Sequence, residues 1–131
     1  MRAAADRVTE VSGADAANTA MESGRIAVTD NVAALLDAGL IDVVVDATGI
    51  PAVGAEIGLR AMENGKHLVM MNVEADVTIG AYLRSEAERL GVIYSLGAGD
   101  EPSSCMELIE FVSAMGHRIV SAGKGKNNPL N

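Results

Sequence analysis

IDVVVDATGIPAVGAEIGLRAMENGKHLVMMN, residues 41–72, has the pattern of one strand, helix and strand unit with a polar break after each strand. Val43 to Val45 form an apolar β-branched run, which is typical of a strand buried on both faces of a parallel sheet. Pro51 suits the first turn of a helix, and Gly65 suits a left-handed cap at its end. His67 to Met71 predicts the second strand. A helix between two such strands favours a right-handed crossover.

Further segments alternate around this unit. Strands are predicted at 26–29, 92–96 and 118–122, and helices at 3–11, 15–23, 30–39, 76–90 and 102–115. Asp76 is expected to cap the helix 76–90, and Gly91 to end it. The alternation predicts an α/β fold with a Rossmann-like parallel sheet, whose ligands bind beyond the carboxyl ends of the strands.

Composition limits the class of function. With 131 residues, ten basic and eighteen acidic, the chain is at most one domain of net charge −8, which argues against nucleic-acid or anionic-membrane partners. It has neither a stretch of about 20 apolar residues nor a secretory signal, so we expect a cytoplasmic protein. Cys105 is the single cysteine, and no metal site is predicted.

Two polar segments follow predicted strands and would share the crevice. In DATGIP, residues 46–51, Thr48 and the Gly49 backbone could meet a ribose or a nicotinamide, although a plain turn between strand and helix also needs small residues. Asn72, Val73 and Glu74 could orient a ligand through an amide and a carboxylate. Ordinary loop polarity explains the same residues.

A glycine-rich segment and a lysine pair are weaker candidates. In GAGDEP, residues 97–102, the G-x-G could hold a phosphate, but Pro102 replaces the third glycine, and Asp100 and Glu101 would repel a pyrophosphate. A substrate-facing or interdomain loop, or an ordinary turn, fits better. Lys124 and Lys126 could bind a phosphate or carboxylate or donate a proton, or could serve solubility.

From residue 26 onward the chain carries, in order, IAVTDN, DVVVDATGIP, GLRAMENGKHLVMMNVEAD, and YSLGAGDEPSSCMELIEF through to GKGKNNPL. Together these segments resemble the nucleotide-binding domain of homoserine dehydrogenase-like oxidoreductases, in particular the branch similar to 1-deoxy-D-xylulose 5-phosphate reductoisomerase-like proteins. The resemblance implies NAD or NADP as cofactor. It also implies an oxidoreductase whose substrate is a small polar metabolite, phosphorylated metabolites included.

The resemblance implies roles for particular residues as well. In that family the loop at 47–51 lies along the cofactor, and the segment after HLVMMN approaches the nicotinamide. The implied cofactor contacts are Ala47, Thr48, Gly49, Ile50, Pro51, Asn72, Val73 and Glu74. The implied catalytic or substrate-binding candidates are Glu101, Lys124 and Lys126.

The family's opening pattern is a strand, a G-x-G-x-x-G loop, a helix and a second strand ending in an acid, and the sequence does not show it. We therefore expect an internal fragment with little affinity for a dinucleotide and no activity of its own. Residues 1–123 would be a partial dinucleotide-binding domain, and 124–131 would begin a linker or loop toward a catalytic domain. In the strand order 3-2-1-4-5-6 the two absent strands separate 26–29 from 43–46, so 43–46 is expected to be an exposed apolar edge that promotes self-association.

Two alternatives from other classes stay open. A receiver-like signalling domain would be phosphorylated on Asp46. Such a domain needs an acidic pair after an earlier strand to hold Mg²⁺, and the strand at 26–29 offers only Asp30. A non-catalytic α/β scaffold or oligomerisation module has the same pattern.

Overall fold

The computed structural model describes residues 7–97 and 101–123, in which strands and helices alternate. The strands are β1 Val8–Glu10, β2 Ile26–Val28, β3 Val43–Asp46, β4 His67–Met70 and β5 Tyr94–Leu96. The helices are α1 Ala14–Glu22, α2 Val32–Leu36, α3 Pro51–Glu63, α4 Val73–Leu90 and α5 Glu101–Ala114. The chain divides into two compact units, Met1–Ser95 and Leu96–Asn131.

The strands form two sheets, one of β1 and β2 and one in the order β3, β4, β5. Val8 lies opposite Ile26 in the parallel pair β1–β2, and Asp46 lies opposite Met70 in the parallel pair β3–β4. Each of these parallel pairs has a helix between its strands along the chain, as crossover connections require. The prediction of a Rossmann-like α/β fold is confirmed.

Helix ends follow the expected local chemistry in the central unit. Pro51 occupies the first turn of α3, and Gly65 beyond its end has a φ of 73°. Gly91 ends α4 in the left-handed conformation. The N-cap of α4 is Asn72, whose side chain accepts a hydrogen bond from the Ala75 N–H, so the helix begins before the predicted cap at Asp76.

The predicted helix at 3–11 is wrong over its described part, because Val8–Glu10 forms a strand. The Ile26 N–H donates to the Arg7 carbonyl at 2.8 Å, and the Val11 N–H donates to the Val28 carbonyl at 2.9 Å. The β-branched residues of this segment find a parallel partner in β2, and that pairing outweighs the local helical pattern. A strand ending in an acid, Glu10, therefore lies beside β2, where the sequence analysis expected an absent strand. Residues 3–6 lie outside the described residues.

The predicted strand at 118–122 is also wrong, since the structure assigns no strand to these residues. Ile119, Ser121 and Ala122 line a cavity of about 230 Å³ together with Cys105 and Val112. The segment lies beside α5 within its own unit and has no strand pairing to make it a sheet member.

The core of the first unit fixes how α3 lies on the sheet. Leu36, Ile57 and Ala61 are buried together, and Val44 of β3 packs against them. Gly58 is buried in α3, and a Cβ there would lie 2.8 Å from Leu68 Cδ2 of β4. This close approach packs the middle of α3 on β4, and the loop after β3 places the start of α3 beyond the carboxyl end of that strand, where predicted site residues lie.

Candidate functional site

The carboxyl ends of β3 and β4 bring the two predicted cofactor segments side by side. The Met71 N–H donates to the Asp46 carbonyl at 2.8 Å, so the carboxyl ends of β3 and β4 lie side by side. Residues 47–51 follow β3 and lead into α3, and residues 72–74 follow β4 and open α4. This junction is the edge at which parallel sheets bind ligands.

A buried polar pair lies beneath the junction. Asp46 is 2% exposed and Asn72 is 1% exposed, and Asn72 Nδ2 donates to Asp46 Oδ2 at 3.1 Å. The same nitrogen lies 3.2 Å from Thr48 Oγ1 and 3.1 Å from the Ile50 carbonyl oxygen. Asp46 Oδ1 accepts the Thr48 N–H at 2.9 Å. One amide therefore ties β3, the loop after it and the start of α4 together.

Gly54 in the first turns of α3 lets the backbone approach this pair. A Cβ at Gly54 would lie 2.5 Å from Asp46 Oδ2 and 2.6 Å from Asn72 Nδ2, which is closer than real carbon atoms come. Sequence reasoning did not single out Gly54. A signal was present, because a glycine inside a helix costs about 1 kcal/mol relative to alanine and so indicates a packing reason.

Above the pair, the loop presents its residues to solvent. Ala47, Thr48, Gly49 and Ile50 are exposed, and Gly49 has a φ of 71° that favours glycine. A cavity of about 320 Å³ is lined by Pro51 from this loop and by Val73, Glu74, Val77 and Thr78 from α4. The structure thus brings Pro51, Val73 and Glu74 to one cavity, and it joins Thr48 and Ile50 to Asn72 by hydrogen bonds.

The chemistry of this site suits an uncharged polar ligand. Glu74 and Asp76 lie in the first turn of α4, where their negative charges interact favourably with the positive end of the helix dipole. Acids at this position disfavour a phosphate, but Glu74 can accept hydrogen bonds from a carboxamide or from ribose hydroxyls. Thr48 Oγ1 accepts from Asn72, which leaves the hydroxyl hydrogen able to donate to a ligand oxygen. These residues fit the nicotinamide and ribose half of a dinucleotide.

Three predicted residues have side chains outside the part of the chain that the structure describes. Glu101 is the first residue of α5, and its side chain lies outside the described part of the chain, as do Lys124 and Lys126. Residues 98–100 of the glycine-rich segment lie outside it too. The roles given to these residues stay predictions.

Residues 7–97 and 101–123 are the part of the chain that the structure describes. Within those ranges no group of three or more His, Cys, Asp or Glu residues could hold a metal ion. No helix in the same ranges is long and apolar enough to span a membrane. The Asp46 carboxylate is buried and hydrogen bonded to Thr48 and Asn72, so a phosphodonor has little access to it, and this disfavours the receiver-like alternative.

The fold is that of a Rossmann-like α/β domain, and comparison with known families identifies it as a nucleotide-binding domain of an oxidoreductase. The family model for the homoserine dehydrogenase NAD-binding domain matches residues 4–97, and the model for the oxidoreductase DRL catalytic domain matches residues 99–131. No match was found among the curated proteins. The chain belongs to the homoserine dehydrogenase NAD-binding domain family, and its cofactor is NAD(P).

Proposed function

We propose that residues 47–51 and 72–74 bind the nicotinamide half of NAD(P) in an oxidoreductase that acts on a small polar metabolite, phosphorylated metabolites included. The single observation that carries this proposal is the cavity shared by Pro51 of one segment and Val73 and Glu74 of the other. It lies at the carboxyl ends of two parallel strands, where cofactors of this fold class bind. The cytoplasmic location stays a prediction from composition.

The described residues would bind and orient the cofactor. When bound, the nicotinamide supplies hydride transfer, and the protein supplies position and electrostatics. The Thr48 hydroxyl and the exposed Gly49 backbone donate to ligand oxygens, and Glu74 accepts from hydroxyl or amide hydrogens. Ile50, which is 55% exposed, offers an apolar surface to the ring.

Substrate chemistry belongs to the C-terminal residues in this proposal. Lys124 and Lys126 would hold a phosphate or carboxylate of the substrate or donate a proton to its oxygen, and Glu101 would assist as an acid or base. The division into a dinucleotide-binding domain over 1–123 and a linker over 124–131 is part of the same proposal. The match of residues 99–131 to an oxidoreductase catalytic domain supports the assignment of substrate chemistry to this part of the chain.

Chemical-shift mapping by NMR tests the cofactor site even where affinity is weak. Nicotinamide mononucleotide (NMN) probes the nicotinamide half, and AMP probes the adenine half. We expect NMN to shift the amide signals of residues 47–50 and 73–74, whereas AMP leaves them unchanged. Equal shifts with both ligands, or no shifts with saturating NMN, would overturn the proposal.

A variant pair tests the Thr48 hydroxyl directly. Thr48→Val keeps the side-chain shape but removes the donor to the ligand and the acceptor of the Asn72 amide. It should raise the dissociation constant for NMN at least about fivefold, the effect of losing one hydrogen bond of about 1 kcal/mol. Thr19→Val makes the same change at an exposed residue of α1 and should leave the constant unchanged.

We also propose that the protein self-associates through β3. The Asp42 and Asp46 carbonyls accept from His67 and Met71, so the backbone groups of Val43 and Val45 point to the opposite edge, because alternate residues of a strand face alternate sides. Among the described residues β3 is an outer strand of its sheet. An edge with exposed apolar side chains is a template for pairing with another chain.

A further inference from the structure

Asp46 has an unusual environment for a carboxylate. It is almost fully buried, yet none of the ion pairs found within residues 7–97 and 101–123 includes it. A buried charge is costly unless hydrogen bonds compensate for it. The compensating donors are the Thr48 N–H and the Asn72 amide, and both belong to the segments of the proposed cofactor site.

Asn72 has its amide orientation fixed by its partners. The nitrogen faces three acceptors, on Asp46, Thr48 and Ile50, while the oxygen accepts the Ala75 N–H at 3.1 Å. A flipped amide would oppose donor to donor at Ala75 and acceptor to acceptor at Asp46. Because its polar atoms already have these partners and its side chain is buried, Asn72 has little capacity left for a ligand.

Hydrogen bonds to Asp46 and Asn72 consequently hold loop 47–50 in place. Thr48 is bound through its N–H and its hydroxyl oxygen, and Ile50 is bound through its carbonyl. At Gly54 the backbone of α3 packs directly against Asp46 and Asn72, because no side chain fits there. A site held in its binding conformation loses less entropy when the ligand arrives.

We propose that Asp46 and Asn72 are positioning residues, which hold loop 47–50 in the conformation that binds the nicotinamide half without touching the cofactor themselves. The inference rests on the proposed function for its ligand. It differs from the sequence interpretation of Asn72 as a cofactor contact, and it adds Asp46 and Gly54 to the residues on which the site depends.

Exchanging the amide and the carboxylate tests the pair. Asn72→Asp still accepts the Ala75 N–H, since aspartate is a good N-cap, but it places two carboxylate oxygens together. Asp46→Asn still accepts the Thr48 N–H but places two amide nitrogens together. The double variant restores one donor and one acceptor between positions 46 and 72, but it still places an oxygen against the Ile50 carbonyl, to which Asn72 Nδ2 donates. Asn31→Asp is the matched control, because Asn31 caps α2 through Ala33 and contacts no carboxylate within the residues described.

The dissociation constant for NMN and the hydrogen exchange of the Thr48 amide are the two measurements, with the unfolding midpoint as a check on the fold. If each single variant leaves the loop in its binding conformation about a tenth of the time, the constant rises about tenfold. Thr48 exchange should also accelerate in the ligand-free protein, because the open population of the loop rises. The double variant should recover part of both losses relative to Asn72→Asp, because only the contact between positions 46 and 72 is restored, and Asn31→Asp should change neither.

The outcomes separate this inference from the proposed function. Wild-type NMN affinity in Asn72→Asp with an unchanged unfolding midpoint, or no recovery in the double variant, overturns the positioning role. If the wild type itself shows no NMN shifts, the proposed function fails, and unchanged Thr48 exchange in the single variants would then overturn the role in holding the loop. Should both single variants unfold, a folded double variant that binds NMN supports the proposal, and an unfolded one overturns it.

Discussion

Tyr94 links β5 to α4 through one short hydrogen bond, because its hydroxyl donates to Asp76 Oδ1 at 2.5 Å. Burial, and next the hydrogen bond to Asp76, raise the pKa of Tyr94 above its ordinary value. The unfolded chain would release this proton near pH ~10, while the folded protein keeps it. The contribution to the free energy of unfolding is therefore complete below about pH 10 and is lost as the pH rises toward the folded pKa.

Denaturant titrations at rising alkaline pH measure this loss. Tyr94→Phe should lower the free energy of unfolding by about 1–2 kcal/mol at neutral pH, since Asp76 loses its donor, and should show a weaker alkaline decline than the wild type. Tyr82→Phe is the control, because Tyr82 is 55% exposed and should keep the wild-type profile. Parallel declines in the wild type and Tyr94→Phe would contradict the prediction.

Lys66 is a second residue whose role comes from burial. Lys66 is 4% exposed, and its ammonium donates to the Ala38 carbonyl at 2.6 Å and to the Ile41 carbonyl at 2.8 Å. Lys66→Met keeps the apolar stem but leaves both carbonyls without this donor. We expect a loss of about 2–3 kcal/mol in the free energy of unfolding.

Arg84→Met is the matched control for Lys66→Met. Arg84 pairs with Glu88 on the surface at 3.4 Å, with 75% of its side chain exposed, and such pairs contribute about 0–1 kcal/mol. Denaturant titration measures the free energy of unfolding of both variants. Equal losses would show that burial of Lys66 does not increase its contribution to stability.

At the scale of elements, the sequence predicted those segments whose local and long-range preferences agree. The β-branched run at Val43 to Val45, Pro51 and Gly65 each favour the strand, helix start and helix end that the structure has. The segment with β1 was missed because its helical pattern is local, while its pairing with Ile26–Val28 lies about 18 residues away along the chain. Strand formation depends on such partners more than helix formation does.

The packing of α3 on β4 gives a prediction at this scale. Gly58→Ala places a methyl group 2.8 Å from Leu68 Cδ2, and Leu68 is fully buried, so it cannot move aside freely. Overpacking of this kind costs about 1–3 kcal/mol, and the gain in helix propensity returns about 1 kcal/mol. We expect a net loss of up to about 2 kcal/mol in thermal or chemical unfolding.

Gly39→Ala provides the comparison for Gly58→Ala. A Cβ at Gly39 meets nothing within 4 Å, and its φ lies outside the left-handed region. This variant should match the wild type or exceed it slightly, because alanine restricts the unfolded chain. A Gly58→Ala protein as stable as Gly39→Ala would mean that α3 does not lie as close to β4 as the structure has it.

At the scale of the whole molecule, the order of strands made the location of the candidate site predictable from sequence. Parallel strands place their carboxyl ends at one edge, so the residues after Asp46 and after Met70 could be paired before any coordinates were known. The sequence did not predict which of these residues contact a ligand and which hold the loop in place. Whether Asn72 faces a ligand or the interior depends on the approach of α3 at Gly54, which is a distance between elements rather than a property of either segment.

Self-association is the prediction that belongs to the assembled molecule. Val43 and Val45 of β3 are 48% and 56% exposed, and a mostly apolar cavity of about 290 Å³ along the same strand is lined by residues that include Val32, Leu35 and Thr48. Pairing with a second copy would satisfy the backbone groups of the edge and cover Val43 and Val45. Sedimentation velocity should therefore show species larger than the monomer, whose proportion rises with protein concentration.

A lysine at the edge opposes such pairing, as natural sheet proteins show. Val45→Lys should make the protein monomeric at concentrations where the wild type associates, because pairing would bury or oppose the new charges. Val77→Lys adds the same charge on α4 at a residue that is 77% exposed, and it should leave association unchanged. If the wild type stays monomeric and melts sharply at a temperature independent of concentration, the β3 edge is tolerated as it stands, and association through it is refuted.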